Sequence, residues 1–151
     1  MLFCIPFEAN ANDIKTIKVG ERKGDITLDD VEVSPYQVVV HTTAPGQRIE
    51  PTEEEIEKLH SQRPEITKEA IRDMLGMYLN YPSIIVFNQD GKMLVGEGMP
   101  GSARFAVQGE EIETLFIFMF YDFNDRMQMA DEGMSSDAAD RADFAAEIRV
   151  Q

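Results

Sequence analysis

Positive charge is what this chain is short of. Its 151 residues carry 14 Lys and Arg against 28 Asp and Glu, a formal net charge of −14. A protein that grips nucleic acid needs a basic face to displace counterions from phosphate, so direct nucleic-acid binding is not expected. Docking on an anionic lipid surface is disfavoured for the same reason. Cysteine is almost missing. Cys4 stands alone, which permits neither an internal disulfide nor a metal cluster built from thiolates, and its apolar neighbours suggest an inert thiol. Long hydrophobic runs are missing too. The longest, Leu115–Tyr121, has seven residues, far below the ~20 needed to cross a bilayer. The N-terminus lacks the basic region, apolar segment and cleavage site of a secretory signal, so the expectation is a soluble, cytoplasmic protein without a cofactor.

What is present is enough apolar material for an ordinary core, 43% hydrophobic residues at a single-domain length. The charge is uneven. From Gly109 onward there are 11 acidic and 3 basic residues, a balance of −8, whereas residues 1–48 hold 7 acidic and 5 basic, a balance of −2. Such a gradient serves solubility, or presents an acidic face to a basic partner.

The segment Ile112–Met129 dominates the pattern. Read as a helix, it places Ile112, Leu115, Phe116, Met119, Phe120, Phe123, Met127 and Ala130 on one stripe at three- and four-residue steps. Glu110, Glu111 and Glu113 suit its first turn and Gly133 its end. Read as a strand, Phe116, Phe118 and Phe120 share one face. The longer periodic match and the end signals favour a long apolar helix. Ile117, Phe118 and Tyr121 then lie off the main stripe and form a surplus apolar face, which with Phe144 is the expected interface for a partner or a second copy.

The remaining elements read more simply. Short strands are expected at residues 2–8, from Ile14 to Gly20, and around Ile26–Val33 interrupted at Asp29–Asp30. A clean β-branched run follows at Gln37–Thr43. Thr52 with Glu55 forms a capping box opening one helix, and Thr67 opens a second, with Ile71, Met74, Leu75, Tyr78 and Leu79 on its buried stripe. Asp90–Gly91 between apolar runs predicts a two-residue hairpin turn that pairs Phe87 with Leu94. After Gly133, Ser135–Ser136 and an alanine-rich stretch predict an acidic C-terminal helix. The expected fold is α+β: an antiparallel sheet with an inserted helical pair, a long apolar helix in residues 1–133, and an acidic helix or tail in 134–151.

Chemistry is thin. His41 and Thr43 end the β-branched run and are the most enzyme-like feature, a candidate small-ligand or nucleotide site. The second His-x-Thr pair of a two-histidine phosphoesterase is missing, since His60 is followed by Ser61–Gln62. Asp122, Asn124 and Asp125 begin like a calcium loop, but Arg126 takes the next ligand position and the glycine is absent, so no metal site is expected. Gly96, Gly98 and Gly101 match a dinucleotide spacing after a hairpin strand rather than within a βαβ unit, and carry little weight. The leading expectation is a non-catalytic protein-binding or self-assembling component, a homo-oligomer. The alternatives are an acidic, DNA-mimic-type inhibitor covering a basic partner surface, and a nucleotide binder at His41.

Overall fold

The computed structural model describes residues 14–48, 50–76, 79–97 and 101–151. The strand expected at 2–8, Cys4, Tyr78 and the middle of the glycine loop lie outside these residues. The chain forms two compact units, Met1–Pro45 with Pro82–Gln151, and Gly46–Tyr81. The α+β class holds, with antiparallel sheets, three α-helices and one 3-10 helix among the described residues. None of these helices is long and apolar enough to cross a membrane.

The larger unit begins with a hairpin. Strand β1 (Lys15–Lys23) and β2 (Ile26–Val33) pair antiparallel, joined by Gly24–Asp25 with Gly24 at φ 58°. Strand β1 runs on past Gly20, where the sequence suggested its end, and β2 is not interrupted at Asp29–Asp30. Each absorbs its irregular residues as a register shift, between Lys18 and Glu21 in β1 and between Leu28 and Asp30 in β2, as bulges do. Strand β3 covers Gln37–Thr43, the span read from the β-branched run. With β7 (Gly96–Glu97) and β8 (Ala103–Ala106) these strands form a five-stranded sheet in the order β1-β2-β3-β8-β7.

The dominant apolar stretch is a strand, not a long helix. Strand β9 (Thr114–Phe120) is central in a three-stranded antiparallel sheet between β10 (Phe144–Arg149) and β6 (Ser83–Asn88). Leu115, Ile117 and Met119 turn to one face and join a core with Leu28, Val31, Val38, Val40 and Phe105 of the other sheet. Phe116, Phe118 and Phe120 turn to the opposite face, where a separate cluster holds Ile85, Phe87, Met129 and Ala138. A strand covered on both faces has no polar alternation to betray it, and its apolar run matches a helical stripe equally well. Burying each large side chain of this kind is worth about 1.5–3 kcal/mol.

The helix comes later. Asp122 caps α3 (Phe123–Glu132) by accepting the Asn124 and Asp125 N–H groups at 2.8 and 3.2 Å. Gly133 ends it with φ 85°, as its position in the sequence implied. The expected acidic C-terminal helix is instead a 3-10 helix (Asp137–Arg141), capped by Ser136, followed by β10. Ala145 and Ala146 stand opposite Phe118 and Ile117. Small residues fit beside the bulky central strand, so the alanines serve a sheet rather than a helix face.

The predicted hairpin exists in a different register. The Asn88 N–H donates to the Lys92 carbonyl at 2.9 Å and Phe87 faces Met93, leaving a three-residue loop. Only its last residue, Gly91, has positive φ, at 78°. This is the loop that ends in a left-handed glycine. The side chain of buried Asn88 accepts from the Asp90 and Lys92 N–H groups at 2.9 and 3.0 Å and fixes it. Leu94 consequently turns inward, while Met93 and Val95 are exposed, so the second arm is not enclosed as expected.

The smaller unit holds the inserted helical pair. Its first and last strands, β4 (Gln47–Arg48) and β5 (Leu79–Asn80), pair with each other. Between them lie α1 (Glu53–Gln62) and α2 (Lys68–Leu75), capped by Thr52 and Thr67 as read from the sequence. Thr52 and Thr67 accept the Glu55 and Ala70 N–H groups at 3.2 and 3.1 Å. Ile56 and Ile71 are buried, but Leu59, Met74 and Leu79 are exposed. Two helices of ten and eight residues present too little surface to enclose a full apolar stripe.

Candidate functional site

His41 and Thr43 sit two residues apart on β3 and so share one face of the five-stranded sheet, the face opposite buried Val38 and Val40. Register brings the acidic residues of β2 beside them, with Asp30 directly opposite His41 and Thr27 opposite Thr43. His41 Nε2 is 2.8 Å from Glu32 Oε2 and 3.7 Å from Asp30 Oδ1, and Nδ1 is 3.3 Å from the Gly101 carbonyl oxygen. Both ring nitrogens thus face acceptors, and only the imidazolium can donate to both at once. The Glu32 hydrogen bond, above all, raises the His41 pKa from its ordinary 6.5; burial opposes it, and Asp30 and the Gly101 carbonyl add to it. Thr43 Oγ1 donates to Asp29 Oδ2 at 2.8 Å.

This arrangement is chemically an acidic patch with one imidazole inside it. Asp29, Asp30 and Glu32 surround the pair, and Lys18 is already 3.5 Å from Asp30. Three carboxylates repel a phosphate, so the surroundings oppose a nucleotide at His41. Among the described residues no group of three or more His, Cys, Asp or Glu is arranged to hold a metal ion. A groove of about 420 Å³ exists at another place, lined by Lys15, Val33, Pro35, Glu110, Ile112 and Val150; His41 and Thr43 take no part in it.

The expected interface residues separate into two groups. Ile117 and Phe144 are fully buried in the core, so neither faces a partner; a strand residue pointing into a shared core has no second exposed side. Phe118 is half-buried, with its ring 6.0 Å from that of Phe87 at an edge-to-face angle of 81°. Tyr121, also half-buried, is used internally: its hydroxyl donates to the Pro45 carbonyl at 2.9 Å and its N–H to Asp143 Oδ2 at 2.7 Å. Burial, then Asp25 and Asp143, raise its pKa.

Exposed apolar side chains occur on several elements, Val95 and Tyr36 among them, and two of them share α3. Phe123 is 65% exposed and Met127, one turn later, 39% exposed. Asp125 and Gln128 mark the tethered side of the helix, since Arg141 donates to both at 2.9 and 2.6 Å. Sequence reasoning assigned Phe123 and Met127 to the buried stripe because it began the helix at Ile112, eleven residues before Phe123. Recognising Asp122 as an N-cap is the signal that restores the phase.

Comparison with protein-family models, with curated proteins and with solved structures finds no match.

Proposed function

We propose that this chain is a non-catalytic protein-binding component whose contact surface is centred on Phe123 and Met127. The exposure of these two apolar side chains, one turn apart on α3, carries the reading. A single exposed apolar residue is ordinary, whereas a pair on one side of a helix offers a docking strip. Its neighbours in the chain are rich in carboxylates, with Asp122, Asp131, Glu132, Asp137 and Asp140 all exposed, while Arg126 Nη1 lies 3.8 Å from Met127 Sδ. The partner chemistry that fits is a protein surface with an apolar centre and a basic edge.

The test compares capture by the wild type, Phe123→Asp with Met127→Asp, and Asp131→Lys with Glu132→Lys. The expected result is a partner lost with the first variant and weakened by the second, with binding reduced as salt rises. Capture of the same proteins by all three forms overturns the proposal. Loss with the charge variant alone favours the second reading, an acidic inhibitor. That reading draws support from the −8 balance after Gly109, where Glu110 and Asp125 are the carboxylates in ion pairs among the described residues.

A further inference from the structure

The outer edge of β10 is the feature that the α3 contact leaves unused. The three-stranded sheet has β6 at one side, where Phe87 is bridged by Met93, and β10 at the other. The Val150 N–H donates to the Glu113 carbonyl at 2.8 Å, and this fixes the phase of the ladder. Even-numbered residues of β10 exchange hydrogen bonds with β9, and Ala145, Glu147 and Arg149 turn their N–H and C=O groups outward. From β1, Lys23 Nζ donates to the Ala145 carbonyl and Lys15 Nζ to the Val150 carbonyl. Between those two points the outward backbone groups of Glu147 and Arg149 have no backbone partner among the described residues.

An open edge is ordinarily guarded by charge or by brevity. The five-stranded sheet follows that rule, with a bulge and exposed Lys15, Lys18 and Lys23 on β1 and only two residues in β7. Strand β10 carries charges of both signs, Glu147 and Arg149, two residues apart and both exposed. Against an antiparallel copy of itself centred on Ile148, Glu147 faces the second copy's Arg149 and Arg149 its Glu147, while Ile148 meets Ile148. The residues opposed in this register are those whose backbone groups point outward, so the ladder closes without a phase conflict. Centring on Glu147 would set Glu against Glu. Centring on Ala146 would draw the Ala145 carbonyl, which Lys23 holds, into the middle of the ladder.

We infer that two copies of this chain pair along β10, antiparallel about Ile148, to make one continuous six-stranded sheet, with Glu147 and Arg149 as reciprocal cross-strand ion pairs. The partner is a second copy because the charge pattern of the strand is complementary to itself.

The experiment measures molecular mass of the full chain by light scattering or sedimentation across a dilution series in about 0.15 M salt, where distant charge repulsion is screened. It uses the wild type, Glu147→Arg, Arg149→Glu and the double swap, with far-UV circular dichroism confirming the fold of each. Two symmetric pairs turned from attraction to repulsion should raise the dimer Kd at least about tenfold in each single variant. The double swap should restore it to within about threefold. Phe123→Asp leaves the dimer in place, since α3 lies elsewhere. A monomer at every concentration overturns the inference. So does a dimer indifferent to the single swaps, a double swap without rescue, or a dimer broken by Phe123→Asp alone.

Discussion

Glu32 and His41 stand on adjacent strands with a carboxylate oxygen 2.8 Å from an imidazole nitrogen, and the second ring nitrogen faces the Gly101 carbonyl. The pKa of His41 is therefore raised above 6.5 in the folded chain. A folded value above the unfolded one means the stabilisation is complete below about pH 6.5 and fades as pH rises through the folded value. Both side chains are about one-third exposed, at 32% and 39%, and solvent screening holds the contribution under about 1 kcal/mol. In urea denaturation, His41→Asn should destabilise more at about pH 5.5 than at about pH 8.5. An equal difference at both values would show that the charge on the ring contributes nothing.

Ile117 and Phe118 are neighbours whose truncation should destabilise to different degrees. Ile117 is fully buried, so Ile117→Ala is expected to cost about 2–5 kcal/mol through lost transfer and a cavity. Phe118→Ala removes a half-buried ring and its edge contact with Phe87, and should cost less than the 3–5 kcal/mol typical of a fully buried Phe. Denaturation midpoints decide it. A larger loss at Phe118 would place the closed face of the sheet on the other side.

Thr42 is 3% exposed, and its hydroxyl finds no hydrogen-bond partner among the described residues. An orphaned buried hydroxyl costs about 1–3 kcal/mol, and valine has nearly the same shape. Thr42→Val should raise the melting temperature without disturbing the β3–β8 pairing. A fall would reveal a partner for that oxygen.

Asp122 accepts two N–H groups at the start of α3. Asp122→Ala should cost about 1 kcal/mol, and Asp122→Asn should recover most of it, because either amide or carboxylate oxygen can accept. Were Asp122 inside a continuous helix from Ile112, alanine would stabilise instead. Thermal melts of the two variants therefore also discriminate the strand from the helix.

The parts legible in the sequence were those fixed by local chemistry. The run Gln37–Thr43 announces β3 by its branched side chains, and Thr52, Thr67 and Gly133 announce helix ends by the backbone groups they satisfy. What failed was set by tertiary cover. The stretch from Leu115 to Phe120 is apolar on both faces because a second sheet lies on one side and α3 on the other, and no periodicity survives that. Ala145 and Ala146 suit a helix until Phe118 and Ile117 require small neighbours. Of the candidate site, His41 was visible, but Asp30 and Glu32 reach it only through the β2–β3 register, shifted at Asp29. Phe123 and Met127 were hidden by one misplaced helix start.

The pairing of Gln47 with Asn80 and of Arg48 with Leu79 brings the entry and exit of the Gly46–Tyr81 insert side by side. A segment whose two ends already meet is a cassette. It can be excised for a short glycine-serine bridge, or exchanged for a foreign hairpin of helices, with no strand of the remaining body re-threaded. Lengthening or remodelling there leaves the strand order of the larger unit unchanged.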